Sequence, residues 1–239
     1  MTATRDTDSN TTTVIIDAPD EYNISIGYHM PVGEYQEVEF LQSSGTQYIN
    51  PNFVTTQSFK VNVKFQPVGF KSGNNIWGKQ GWPENTYGYP TSMYTEQNGV
   101  LIAPNSGTTY GDSTSNTGFQ FVIGTDYTAE YYYTKDGTAY VSLDGNVLKT
   151  YAATTRNSVN RSMLLFATYD LSSSNDGPNY FGIYKIYYWY LRDNNGVMQR
   201  EMYPCYRLSD SQAGMYDRVN GVFYPGQGTG TFTVGADVS

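Results

Sequence analysis

Between Ser58 and Gln66 the chain alternates without a break: Phe59, Val61, Val63 and Phe65 are apolar, while Lys60, Asn62, Lys64 and Gln66 are polar. A period of two sends successive side chains to opposite faces of an extended backbone, so this segment reads as a strand with one face in a core and one in water. The pattern recurs more weakly at Val38 and Phe40, at Phe119, Phe121 and Ile123, and at Ala139, Val141 and Leu143. Asp136-Gly137, Asp144-Gly145, Asn195-Gly196 and Asn220-Gly221 each stand between apolar-rich runs. Such pairs tolerate positive φ and predict antiparallel hairpins, the last as a two-residue turn between residues 215–219 and 222–224. No window of about a dozen residues carries a 3.6-residue stripe, and Gly or Pro recurs too often for long helices. About a dozen strands without a helical layer must bury their faces against one another, which predicts an all-β fold, a two-sheet antiparallel sandwich or jelly roll. Residues 181–192, FGIYKIYYWYLR, carry apolar or aromatic side chains at both parities and predict a central strand covered on both sides.

Composition narrows the function. Charged residues make up 15% of the 239, against 24 Tyr, 24 Gly and 11 Phe. This excludes charge-driven disorder and favours strands. A net charge of −8 argues against nucleic acid as partner, since phosphate tracking is done by Lys and Arg. No run approaches the roughly 20 apolar residues that span a bilayer, so no membrane partner is expected. One His and one Cys exclude any site needing two imidazoles, and any internal disulfide. Cys205 follows Pro204 with no His nearby in sequence, so it reads as a buried structural thiol.

Residues 1–36 read as an N-terminal arm before a domain spanning 37–239. Its polar start buries too little apolar surface to offset ordering, so it is either a disordered tail or an anchor. As an anchor, Val14, Ile15 and Ile16, or Ile24 and Ile26, would add a strand to a neighbouring sheet. The start lacks the basic and apolar regions of a signal peptide, so the Asn-x-Ser/Thr triplets at Asn10, Asn23 and Asn160 are read as chance.

Two segments carry a resemblance. VEFLQSSGTQYINPNF (38–53) and YPCYRLSDSQAGMYDRVNGVFYPGQGTGTFTVG (203–235) resemble the opening and closing strands of concanavalin A-like, laminin-G-like jelly-roll domains found in gut bacteria and their tailed phages. The resemblance implies that fold from about residue 37 onward and leaves the arm outside it. Gly226, Gly228 and Gly230 precede TFTV, a strand rather than a helix, so they read as a turn and not a phosphate loop.

Four functional readings follow. The family includes glycoside hydrolases, but their Glu-x-Asp-x-x-Glu pattern is absent here. The one cluster among the eight Glu, at Glu34, Glu37 and Glu39, reads as a solvated edge, so no enzyme activity is expected. Glycan binding would use ring faces and amides, and NIWGKQGWPENTYGYPTSMYTEQ offers Trp77, Trp82, Asn85, Tyr87, Tyr89, Tyr94 and Gln97. The same aromatics could equally cover the core. DLSSSNDGPN holds Asp170, Asn175, Asp176 and Asn179, oxygen donors that suit Ca²⁺, although turns favour Asp and Asn for backbone reasons alone. The plain loop is the preferred reading, and no cofactor is expected. The family setting, the absent export signal and the arm together lead to a tailed-phage virion protein. It would be a fibre, capsid decoration or host-attachment module, partnered by copies of itself, other virion proteins and host-surface polysaccharide. The alternative is a secreted or surface lectin-like module of a gut bacterium.

Overall fold

A computed structural model describes residues 2–6, 11–15, 30–54, 58–82, 91–103, 116–133, 138–152 and 160–238. Their strands are β1 (Thr2–Asp6), β2 (Thr11–Ile15), β3 (Tyr35–Glu37), β4 (Leu41–Gln42), β5 (Gln47–Tyr48), β6 (Phe59–Pro67), β7 (Asn74–Trp82), β8 (Thr91–Thr95), β9 (Val100–Ile102), β10 (Asn116–Gln120) and β11 (Tyr127–Tyr133). They continue with β12 (Thr138–Leu143), β13 (Asn146–Ala152), β14 (Leu164–Leu165), β15 (Thr168–Ser172), β16 (Asp176–Asn179), β17 (Tyr184–Asp193), β18 (Met198–Arg207), β19 (Gln212–Asp217), β20 (Val222–Pro225), β21 (Gln227–Gly228) and β22 (Thr233–Val234). No helix occurs among the described residues, and so none that could cross a membrane.

Two sheets form the sandwich. The large sheet has 11 strands, with the path β13-β12-β11-β6-β17-β18-β19-β20 and with β3, β4 and β22 joined to its side. The small sheet has seven, in the path β10-β9-β8-β7-β15-β16, with β14 also on β7. β6 sits near the middle of the large sheet, and its alternation is realised in space: Phe59, Val61, Val63 and Phe65 are at most 3% exposed. Its partner β11 does the same with Tyr127, Ala129, Tyr131 and Tyr133, in register through Tyr131 opposite Val61. Fully burying a Val or Phe side chain contributes about 1.5–3 kcal/mol, so these two strands supply a large part of the core. From the small sheet Trp77 meets Tyr131 edge-on, with ring centroids 5.2 Å apart.

β17 is central, between β6 and β18. A register shift between Ile186 and Tyr188 lets Ile186 and Trp189 both point inward while Tyr187 and Tyr188 lie between them. Its other face is half-buried rather than covered by a layer, a correction to the sequence reading. There the rings shelter one another: Tyr188 stacks on Tyr190 at 4.5 Å, the Tyr190 and Tyr203 hydroxyls meet at 2.5 Å, and the Arg218 guanidinium lies 3.8 Å over Tyr203.

The turns differ in detail from the dipeptide rule. Asp144-Gly145 is the tight β12–β13 turn, with φ positive at both residues. At Asn195-Gly196 and Asn220-Gly221 only the Gly is left-handed, and the loops are longer. The second spans 218–221 because the buried Asp217 carboxylate accepts from Glu201 N, Val219 N and Asn220 Nδ2. Asp136-Gly137 lies outside the described residues. Ile123 is 54% exposed in the turn after β10 and does not continue that strand. One pairing among the described strands, β7 with β15, is parallel, where antiparallel strands were expected throughout.

Within residues 1–36, Val14 and Ile15 belong to β2, which pairs with β1. Ile16, Ile24 and Ile26 lie outside the described residues. β3 is hydrogen-bonded to β18, opposite Cys205, whose thiol is fully buried and pushed up to about 12 by desolvation and then by the nearby Glu37. Glu37 itself is bound by Arg218 at 2.6 Å.

The two motif segments, far apart in sequence, form one unit. β22 pairs with β4 and β21 with β5. Gly228 has a φ of 94°, and a Cβ there would come 2.2 Å from Thr46 O.

Candidate functional site

In the small sheet β7 and β8 are buried on both faces. Met93, Thr95 and Trp77 point toward the large sheet, where Thr95 Oγ1 meets the Tyr184 hydroxyl at 2.8 Å. Neighbouring residues of opposite parity, Ser92 and Tyr94, therefore face away from it. The register carries this outer face across four strands. Ser92 on β8 lies opposite Gly78 on β7, which lies opposite Thr168 on β15, which lies opposite Asn179 on β16. In the next row Gln80 lies opposite Asp170. Gly78 holds the row tight, because a Cβ there would be 2.3 Å from Ser92 Cβ and 2.9 Å from Thr168 Oγ1.

This face is polar and short of partners. Ser92, Thr168 and Asn75 are 0% exposed and Gln80 is 6% exposed. Yet Ser92 Oγ, Thr168 Oγ1, Asn75 Oδ1 and Gln80 Oε1 make no hydrogen bond. Each buried polar atom left in this state costs about 1–3 kcal/mol, a cost that pure packing would not retain four times in one neighbourhood. Two of the four are amide carbonyl oxygens, which only accept, and two are hydroxyls. The set is matched by a ligand rich in O–H donors.

Asp170 closes the face beside Gln80. It is 7% exposed and receives Gln80 Nε2 at 3.2 Å, Asn179 Nδ2 at 3.0 Å and Asn175 Nδ2 at 3.3 Å. Of the four oxygen-bearing residues of this loop, which the sequence reads by preference as a plain turn, Asp170, Asn175 and Asn179 come together and Asp176 does not. Around Asp170 the asparagines present amide nitrogens, whereas Ca²⁺ needs converging oxygens. Asp176 turns away to Arg161, 3.1 Å, and to the Tyr169 hydroxyl, 2.9 Å. Those hydrogen bonds hold its carboxyl below the usual range. Among the described residues no group of three or more His, Cys, Asp or Glu side chains converges.

The aromatic candidates divide. Trp77 is fully buried on the inner face, so it serves the core instead of a ligand. Tyr94 lies on the outer face, in register with Asn75, and is itself buried. Gln97 is exposed in the tight β8–β9 turn, closed by Gly99 N to Glu96 O at 2.9 Å. Trp82 ends β7, and Asn85, Tyr87 and Tyr89 lie outside the described residues. Sequence reasoning missed Asn75, Gln80, Ser92 and Thr168. Their signal was faint: small polar residues interleaved with buried ones, as in Ser92-Met93-Tyr94 and Thr168-Tyr169-Asp170.

The architecture is that of the concanavalin A-like jelly roll, a two-sheet β-sandwich. A candidate carbohydrate-binding protein from Bacteroides ovatus superimposes with a TM-score of 0.53 at 13% identity, over 85% of this chain and 62% of that one. This chain thus spans less than two thirds of that protein. A native heptameric SAP-like pentraxin from Limulus polyphemus aligns with a TM-score of 0.43 at 12% identity, over 68% of this chain and 77% of that one. No protein-family model matches the sequence, and no curated protein sequence does.

Proposed function

We propose that this chain is a non-catalytic carbohydrate-recognition module that engages glycan on the outer face of its small sheet. The observation that carries the reading is the row of buried, unpartnered oxygens on Ser92, Thr168, Asn75 and Gln80, with Asp170 and the half-buried Asn179 at its end. Sugar hydroxyls supply the donors these atoms lack, and desolvated acceptors discriminate strongly in favour of a ligand that satisfies them. The fold shared with the candidate carbohydrate-binding protein supports the same reading.

A virion setting as a host-attachment or decoration module, with copies of the chain as partners, rests on the terminal motifs. Neighbouring genes for a portal, capsid protein or terminase would test it.

The direct test is a glycan array followed by calorimetry on wild type, Asn179→Ala and Asp170→Ala. A glycan bound by wild type and lost in both variants, with no release of reducing ends, is the expected outcome. An array without hits, or hits indifferent to both substitutions, would end the proposal.

A further inference from the structure

A crevice of about 730 Å³ opens between the far end of the large sheet and the C-terminal segment. Tyr206 and Ala213, cross-strand neighbours on β18 and β19, line it on the sheet side. Gly226, Gln227 and Gly230 to Phe232 line it from the returning chain. Phe232 is its most buried side chain, 8% exposed, and packs on Phe166 at 4.9 Å. The backbone around it is pinned. Gly226 N donates to Ala213 O at 2.8 Å, Gln212 Nε2 to Gly226 O at 3.2 Å, and Gln47 Nε2 to Thr231 O at 3.3 Å. None of these residues belongs to the small-sheet face.

We infer that this crevice is a second binding site, for a short neutral oligosaccharide. Its volume falls within the roughly 300–1,000 Å³ of small-ligand sites. Its chemistry excludes the other classes in turn. Among the described residues no Lys or Arg lines it, and the nearby Arg207 is occupied by Asp210 through two hydrogen bonds. Asp237 leaves its rim negative, so phosphate, sulfate and uronic acid groups meet repulsion. A purely apolar ligand would strand the Gln227 amide, the Thr231 hydroxyl and the Asp237 carboxylate without water. The two rings, Tyr206 and Phe232, with an amide, a hydroxyl and a carboxylate around them, fit a pyranose with its apolar face and its ring of hydroxyls. The Tyr206 hydroxyl, 3.5 Å from Asp237 Oδ1, is poised to bridge.

The site is tested by ¹H–¹⁵N NMR titration of the full chain with maltotriose, cellotriose, mannotriose and xylotriose, and with trigalacturonate as the anionic control. A neutral member is expected to shift the Gln227 side-chain amide and the Gly226 and Gly230 backbone amides saturably. The exposed double substitution Gln227→Ala with Asp237→Ala should weaken that binding by at least about tenfold. Asn179→Ala should leave these shifts in place, which separates this site from the one on the small sheet. The inference fails if no neutral trisaccharide moves the crevice signals at about 10 mM, if the double variant binds as wild type, or if trigalacturonate binds there equally well.

Discussion

Gln47 Nε2 donates to Thr229 O at 3.1 Å, a side-chain contact that closes 182 residues of chain. The same amide reaches Thr231 O, while its carbonyl accepts from Ser43 Oγ at 3.0 Å and Ser44 N at 2.9 Å. One buried residue therefore ties the opening loop to the closing turn.

Gln47→Ala would leave those donors and acceptors facing a void. A loss of about 2–4 kcal/mol is expected, read as a fall in the urea midpoint at unchanged slope. Gln47→Glu should also destabilise, because a carboxylate cannot donate to the two carbonyls. A change under about 0.5 kcal/mol in both variants would show that the clasp contributes nothing.

Gly78→Ala tests the packing of the polar row. Its methyl would sit 2.3 Å from Ser92 Cβ, an overlap expected to cost about 1–3 kcal/mol. Adding Ser92→Gly should recover part of this loss, giving a favourable coupling in a double-mutant cycle. Additive effects would contradict the close approach.

Lys79 is fully buried, and desolvation lowers its ammonium to about 7 from 10.5. The native state resists protonating it, so its contribution is whole above about 10.5 and is lost as pH falls to about 7. Lys79→Met, similar in volume and uncharged, should raise the melting temperature most at pH 6 and progressively less toward pH 10. An equal gain at both pH values would refute the assignment.

At the alkaline end the sign reverses. Burial raises the Tyr184 and Tyr190 hydroxyls, and raises Tyr187 to about 12 with help from Asp126. Their stabilising contribution is complete below the unfolded value of about 10 and fades as pH climbs toward the folded values. Spectrophotometric titration should show these phenols ionising together with loss of tertiary structure. Simple independent titration near pH 10 would be inconsistent with their burial.

Much of the large sheet was legible. β6 has one wet and one dry face, so its alternation survives in the residue order, and the Asp144-Gly145 turn is equally local. The small sheet was not. Its strands β7 and β8 are buried on both faces, which erases the polar–apolar signal, and a register shift between Asn75 and Trp77 changes the parity midway along β7. The tryptophan that looked like a ligand platform was thereby turned into the core.

The residue order alone determined that this chain makes strands, that Phe59 to Phe65 turns one face to a core and one to water, and that its ends carry jelly-roll motifs. These properties depend on neighbours within a few positions. Tertiary structure decided which polar atoms meet. Gln80 reaches Asp170 across 90 residues, and Gln47 reaches Thr229 across 182. Sheet register sets such distances, and register is the joint outcome of every strand's packing, which no single segment encodes.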